Sequence, residues 1–116
     1  MTPNILRKIA LSIPDATEGF HMGHPNFRIN GKIFATMCSP DDRWGMVKVP
    51  IALQRKLIKS KPAGFVPASG AWGKQGSTLV LLAKVDAATL QPVIKAAAQN
   101  AVVKKAWRTQ AHPRSL

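Results

Sequence analysis

Ile5, Leu6, Ile9, Ala10 and Ile13 recur at three- and four-residue spacing, which predicts an amphipathic helix at the start of the chain. Thr2 before Pro3 supplies an N-cap and a proline at the first helical position, and Pro14 ends the helix. Gly19, Gly23 and Pro25 punctuate the next stretch around Phe20 and Met22, so residues 19–25 are expected as a short strand leading into a turn. Asn30-Gly31 is the strongest local signal, because a two-residue type I′ turn needs positive φ at both positions. Residues 26–29 and 32–38 are therefore the arms of a hairpin. Its expected register sets Phe27 opposite Phe34 and Arg28 opposite Ile33. One face then carries Phe27, Ile29, Phe34 and Cys38, and the other Ile33, Ala35 and Met37. Both faces hold apolar residues, so alternation does not choose between them.

Residues 39–42, Ser-Pro-Asp-Asp, are turn chemistry, and residues 44–49 form a further antiparallel strand. Pro50 opens a second helix with Leu53 and Leu57 on one face, and Pro62 forces its end. Residues 62–77 hold Gly64, Gly70, Gly73 and Gly76 around Phe65 and Trp72, consistent with an ordered loop or a set of short strands. Residues 77–85 are a strand. A last helix follows, capped by Asp86 or Thr89, with Leu90, Val93, Ile94, Ala97 and Ala101 at helical spacing as far as about Trp107. Pro92 fits its first turn if Thr89 is the cap. The order helix, strands, helix, strand, helix predicts an α+β fold, an antiparallel sheet with helices packed on one face.

A length of 116 residues fits one domain, residues 1–116, and 46% apolar against 19% charged residues is enough for a core without metals or disulfides. The longest apolar run, residues 79–83, is far short of a membrane helix, and the apolar stretch before Pro14 is too short for a signal peptide. With a lone Cys38, the expected location is the cytoplasm. Charge changes the picture most. Bases and acids cancel over residues 1–42, while Asp86 is the only acid in residues 43–116, so the whole net charge of +12 lies in that second part. Such a field attracts polyanions.

Candidate chemistry is sparse. His21, His24 and Cys38 offer soft ligands, but the second tight pair of a zinc site is missing. Cys38 in a hairpin strand is a small apolar residue sooner than a nucleophile. Asp41 and Asp42 belong to their turn. Gly73-Lys74 lacks the glycine spacing and the following Ser or Thr of a phosphate-binding Walker loop. Gly73-Lys74-Gln75-Gly76 matches the clamp of KH domains in letters, yet it runs into a strand instead of joining two helices, and Lys74 is kept as a loop base near phosphates. No catalytic group, metal site or cofactor is assigned.

A basic surface has a mechanism. Arg55, Lys56 and Lys59 share the helix face away from Leu53 and Leu57, and Lys61 follows. Lys104, Lys105 and Arg108 cluster at the end of the last helix, where they also complement its dipole. Trp44, Trp72 and Trp107 can stack on bases or serve as packing.

Glu18-Gly19-Phe20, Gly23-His24-Pro25 through Phe27-Arg28, Gly31 to Thr36, Gly70-Ala71-Trp72-Gly73 and Ala106-Trp107-Arg108 resemble the MmcQ/YjbR family of small bacterial proteins, over about residues 6–113. The resemblance implies a CyaY-like (frataxin-like) fold and carries a DNA-binding label without a reaction or cofactor. Asn26 stands where the family commonly has Asp, which removes a charge from the hairpin. Iron binding as in frataxins needs a carboxylate-rich face, and five acids do not supply one. The expectation is a non-enzymatic protein that binds nucleic acid, duplex DNA above all, by phosphate contacts. The alternative is a ligand or protein-interaction module whose pocket is lined by His24 and Trp72.

Overall fold

The computed structural model describes residues 1–21, 23–38 and 41–114, with side chains except at residues 21 and 103–114. In chain order the elements are α1 (Pro3–Leu11), β1 (Thr17–His21), β2 (His24–Ile29), β3 (Lys32–Met37), β4 (Trp44–Lys48), α2 (Ile51–Ser60), β5 (Phe65–Pro67), α3 (Gly70–Lys74), β6 (Ser77–Leu81), a 3-10 turn (Leu82–Lys84) and α4 (Ala87–Arg114). The six strands form one sheet in the order β1-β2-β3-β4-β6-β5, antiparallel at every step. The fold is α+β, as the element order predicts.

Several boundaries depart from the sequence reading. Residues 19–25 are not one strand: β1 and β2 form a hairpin that pairs His21 with His24, and the turn between them has Gly23 at φ +81°. Residues 62–77 form β5 and the short helix α3 in place of a loop or several strands. The strand expected over 77–85 stops at Leu81 and tightens into the 3-10 turn. Asp86, not Thr89, caps α4, since its Oδ1 accepts the Thr89 N–H at 2.7 Å and its carbonyl accepts the Leu90 N–H at 3.0 Å. Pro92 consequently lies beyond the first turn, and the helix runs past Trp107 to Arg114.

The Asn30–Gly31 turn forms as predicted, with φ of +52° and +79°. Arg28 faces Ile33 across it, but Phe27 pairs with Ala35 and not with Phe34, because a bulge interrupts the ladder between Phe27 and Arg28. One extra residue inverts the alternation beyond it. Ala35 and Met37 join Phe27 on the buried face, at 1% and 7% exposure, while Cys38 is only half-buried.

α1 and α4 pack side by side, and both lie against β3. Leu6, Ile9 and Ala10 of α1 and Leu90, Ile94 and Ala97 of α4 close over Phe27, Phe34, Val47 and Val80. Each fully buried side chain of this size contributes about 1.5–3 kcal/mol, which is what fixes the sheet beneath the two helices. α2 lies against β5 and α3 against β6, at the other edge.

Candidate nucleic-acid interface

α2 is bounded by prolines, with Pro50 at its N-cap and Pro62 just past its C-cap Lys61. Its inward residues are Leu53, Leu57 and Ile58, all partly buried, and its one fully buried residue is polar: Gln54. The Gln54 amide Nε2 donates to the Gly73 carbonyl at 2.9 Å and the Ser77 carbonyl at 3.1 Å, which ties α2 to α3 and to the start of β6. Arg55, Lys56 and Lys59 point the other way and are exposed, as are Lys61 and, at the end of α3, Lys74. Nothing in the sequence pattern singles out Gln54, because a buried amide and a surface amide are spelled alike. Lys104, Lys105, Arg108 and Trp107 lie in the last part of α4, and their side chains fall outside the described residues.

α3 is shaped by its glycines. Gly70 takes φ +65°, and a Cβ on Gly73 would collide with the Ala68 carbonyl, so the backbone lies close against the preceding segment. Trp72 projects between them, 61% exposed. Lys48, at the end of β4, sets its ammonium 5.3 Å from the centre of the Trp72 ring. Around this pair opens a cleft of about 410 Å³, lined also by Arg28 of β2, Lys32 of β3, Gln75, Ser77 and, from α4, Asn100. Three cations from three strands meet there, and none of the lining residues is acidic. Of these residues, sequence reasoning assigned only Trp72 to a pocket.

His24 is not among the residues that line the cleft, so the structure does not bring it together with Trp72 as the pocket alternative requires. It is half-buried on β2, and its Nδ1 is enclosed without a hydrogen-bond partner. Asn26, 1% exposed, accepts from Arg28 Nε at 3.0 Å through Oδ1, while its Nδ2 is also unpartnered. Trp72 in turn is no core residue.

The acids are held elsewhere. Glu18 pairs with Arg7 at 2.7 Å, and Asp41 accepts from the Arg43 guanidinium at 2.9 and 3.2 Å and from its backbone N–H at 2.9 Å. Those bonds from Arg43 hold the Asp41 carboxyl below the usual carboxylate range. Burial, reinforced by Asp42, pushes the Cys38 thiol up, the direction opposite to that of an activated nucleophile. Among the described residues no three of His, Cys, Asp and Glu gather where they would hold a metal ion, and no helix is long and apolar enough to cross a membrane.

The crystal structure of Deinococcus radiodurans protein DR2400, which carries a DUF419 domain, is similar to this chain with a TM-score of 0.69. The likeness covers 83% of this chain and 75% of that one at 19% identity, and it speaks for the fold alone. No curated protein matches the chain. The family model described as YjbR matches residues 11–100, a span that takes in both hairpins, α2, α3 and the first half of α4. The chain therefore belongs to the YjbR family.

Proposed function

We propose that this chain is a non-enzymatic, cytoplasmic nucleic-acid-binding protein that grips the phosphates of duplex DNA with lysine and arginine and reads few bases. The observation that carries the reading is the outer face of α2. Arg55, Lys56 and Lys59 are exposed together on the side opposite the anchored Gln54, with Lys61 and Lys74 nearby in the same part of the fold. Arg55 and Lys56 occupy the middle of a ten-residue helix, where the dipole gives them no structural purpose, whereas Lys59 lies in its last turn and also complements the dipole. Phosphate contacts of this kind position a protein on the duplex without carrying sequence information. We read the arrangement of α1 and α4 against one face of the antiparallel sheet as CyaY-like (frataxin-like).

A binding titration against salt, with duplex DNA, single strands and heparin in parallel, tests the function. Neutralising about four to six phosphates gives a slope of log K against log salt near −4 to −5. Failure to bind duplex at low salt, or a slope indistinguishable from zero, removes nucleic acid from the account.

A further inference from the structure

β1 and β5 are the two edges of the sheet, and only β5 is guarded against further pairing. β5 is three residues long, ends in Pro67 and has α2 against it. β1 is five residues, Thr-Glu-Gly-Phe-His, with no proline and no lysine, and among the described residues nothing pairs with its outer side. The direction of its backbone groups follows from the hairpins. A two-residue turn such as Asn30-Gly31 is closed by a pair that exchanges both hydrogen bonds, here Ile29 with Lys32. Backbone groups alternate along a strand, so in β2 those of Ile29 and Phe27 face β3, and those of Arg28, Asn26 and His24 face β1. The residues opposite, Thr17, Gly19 and His21, are therefore engaged, which turns the N–H and C=O of Glu18 and Phe20 outward. The bulge does not disturb this count, since its extra residue, Phe34, lies on β3.

Phe20 is 68% exposed, more than any other large apolar side chain among the described residues, and it sits on that open edge. Charge narrows what can cover it. Molecules of net charge +12 repel each other, but the bases and acids of residues 1–42 cancel, and β1 with its neighbours β2 and β3 lies in that part. Glu18, the one carboxylate of β1, is matched by Arg7 at 2.7 Å. Unpaired backbone, an exposed ring and no net charge suit a second copy of the same chain. We propose that two copies join edge to edge through β1, as an antiparallel pair with Gly19 on the two-fold axis. That register uses the whole strand: Thr17 faces His21 of the other copy, Glu18 faces Phe20, and Gly19 faces Gly19. The outward groups of Glu18 and Phe20 bond each other across the axis, and the close approach of a non-bonded pair falls on two glycines. Each Phe20 ring is set beside the Arg7–Glu18 pair of the other copy. α2 lies at the far edge, against β5, so both basic faces stay open and the dimer stands whether or not duplex DNA binds there.

Five residues a side bury far less than a standard interface, so the dimer is weak and its test is a concentration series. The full chain is first freed of nucleic acid, so that a bound polyanion does not bridge two copies. Sedimentation equilibrium from about 10 µM to about 1 mM should then show a mass rising from one copy towards two. Over the same range amide hydrogen exchange should slow at Glu18 and Phe20 by about twofold or more, while Gly19 and His21 stay protected throughout. Phe20→Pro takes away an outward N–H and no bond to β2, so it should keep the melting temperature of the dilute wild type and hold the protein at one copy. Phe20→Lys should do the same by placing a charge on the edge. Trp72→Lys, at another exposed ring, should associate as the wild type does. The proposal is overturned by a mass of one copy throughout, by exchange at Glu18 and Phe20 that does not change with concentration, or by unimpaired association of both Phe20 variants. Association lost in Trp72→Lys and kept in both Phe20 variants would overturn it in favour of a contact at the cleft.

Discussion

The side-chain amide of Gln54 donates to the Gly73 carbonyl at 2.9 Å, and through that bond the basic helix α2 holds the helix that presents Trp72. The same amide reaches Ser77 at 3.1 Å, so one buried residue joins the basic helix to the lining of the cleft. Replacing it by alanine removes two buried hydrogen bonds, although each carbonyl keeps a backbone donor, Gly76 N–H for Gly73 and Ala68 N–H for Ser77. Gln54→Ala should cost about 1–3 kcal/mol in urea denaturation. A midpoint unchanged from the wild type would show that water replaces the amide at no cost.

Gly73 is the other half of that joint. A methyl group there would drive into the Ala68 carbonyl, and the backbone cannot retreat without moving the acceptor of the Gln54 bond. Gly73→Ala is expected to destabilise by about 1–3 kcal/mol or more, as overpacked sites do. Thermal melts should show it, and a variant as stable as the wild type would mean that α3 shifts freely.

Charge reversal separates a defined face from bulk charge. Changing Arg55, Lys56 and Lys59 to Glu should weaken duplex binding alike across sequences and reduce the salt slope by up to about 3, one per lost phosphate contact. The same change at Lys104, Lys105 and Arg108 should do less. Equal losses would assign the binding to net charge.

Asp86 gives α4 a pH dependence. Its hydrogen bonds with Thr89, through side chain first and backbone second, hold the carboxyl below its usual range. A pKa depressed by folding contributes stability that is present above the unfolded carboxylate value, about 3.9, and is lost as pH falls through the folded value. Asp86→Ala should therefore melt earlier than the wild type at pH 7, and the gap should close in melts run below about pH 4. A gap of constant size down to about pH 2.5 would rule out the carboxylate as its source.

The elements were legible where a residue type leaves few options. Asn30-Gly31 reads directly as a turn, because few other pairs accept two positive φ angles in succession. The bulge beside it does not read, since both faces of the hairpin hold apolar residues and either register looks plausible by alternation. Pro92 left the cap open between Asp86 and Thr89, because a helix anchored at Leu90, Val93 and Ile94 tolerates the loss of one backbone donor. The cleft was illegible for a different reason. Its residues come from β2, β3, β4, α3, β6 and α4, and the charge balance of residues 1–42 hid Arg28 and Lys32 behind acids that the fold places elsewhere. Glu18 pairs with Arg7 and Asp41 with Arg43, while Arg28 and Lys32 line the cleft.

The bulge between Phe27 and Arg28 makes the hairpin sensitive to counting as well as to spelling. On the turn side of the bulge, Arg28 and Ile33 line the cleft; on the other side, Ala35 and Met37 fill the interior. Deleting Phe34 would restore an unbroken ladder and set those two halves at odds, so that one could keep its orientation only if the other turned over. One apolar side chain along β3 can stand in for another, but a gain or loss of a single residue between positions 28 and 35 would force a choice between the inside of the molecule and the wall of the cleft.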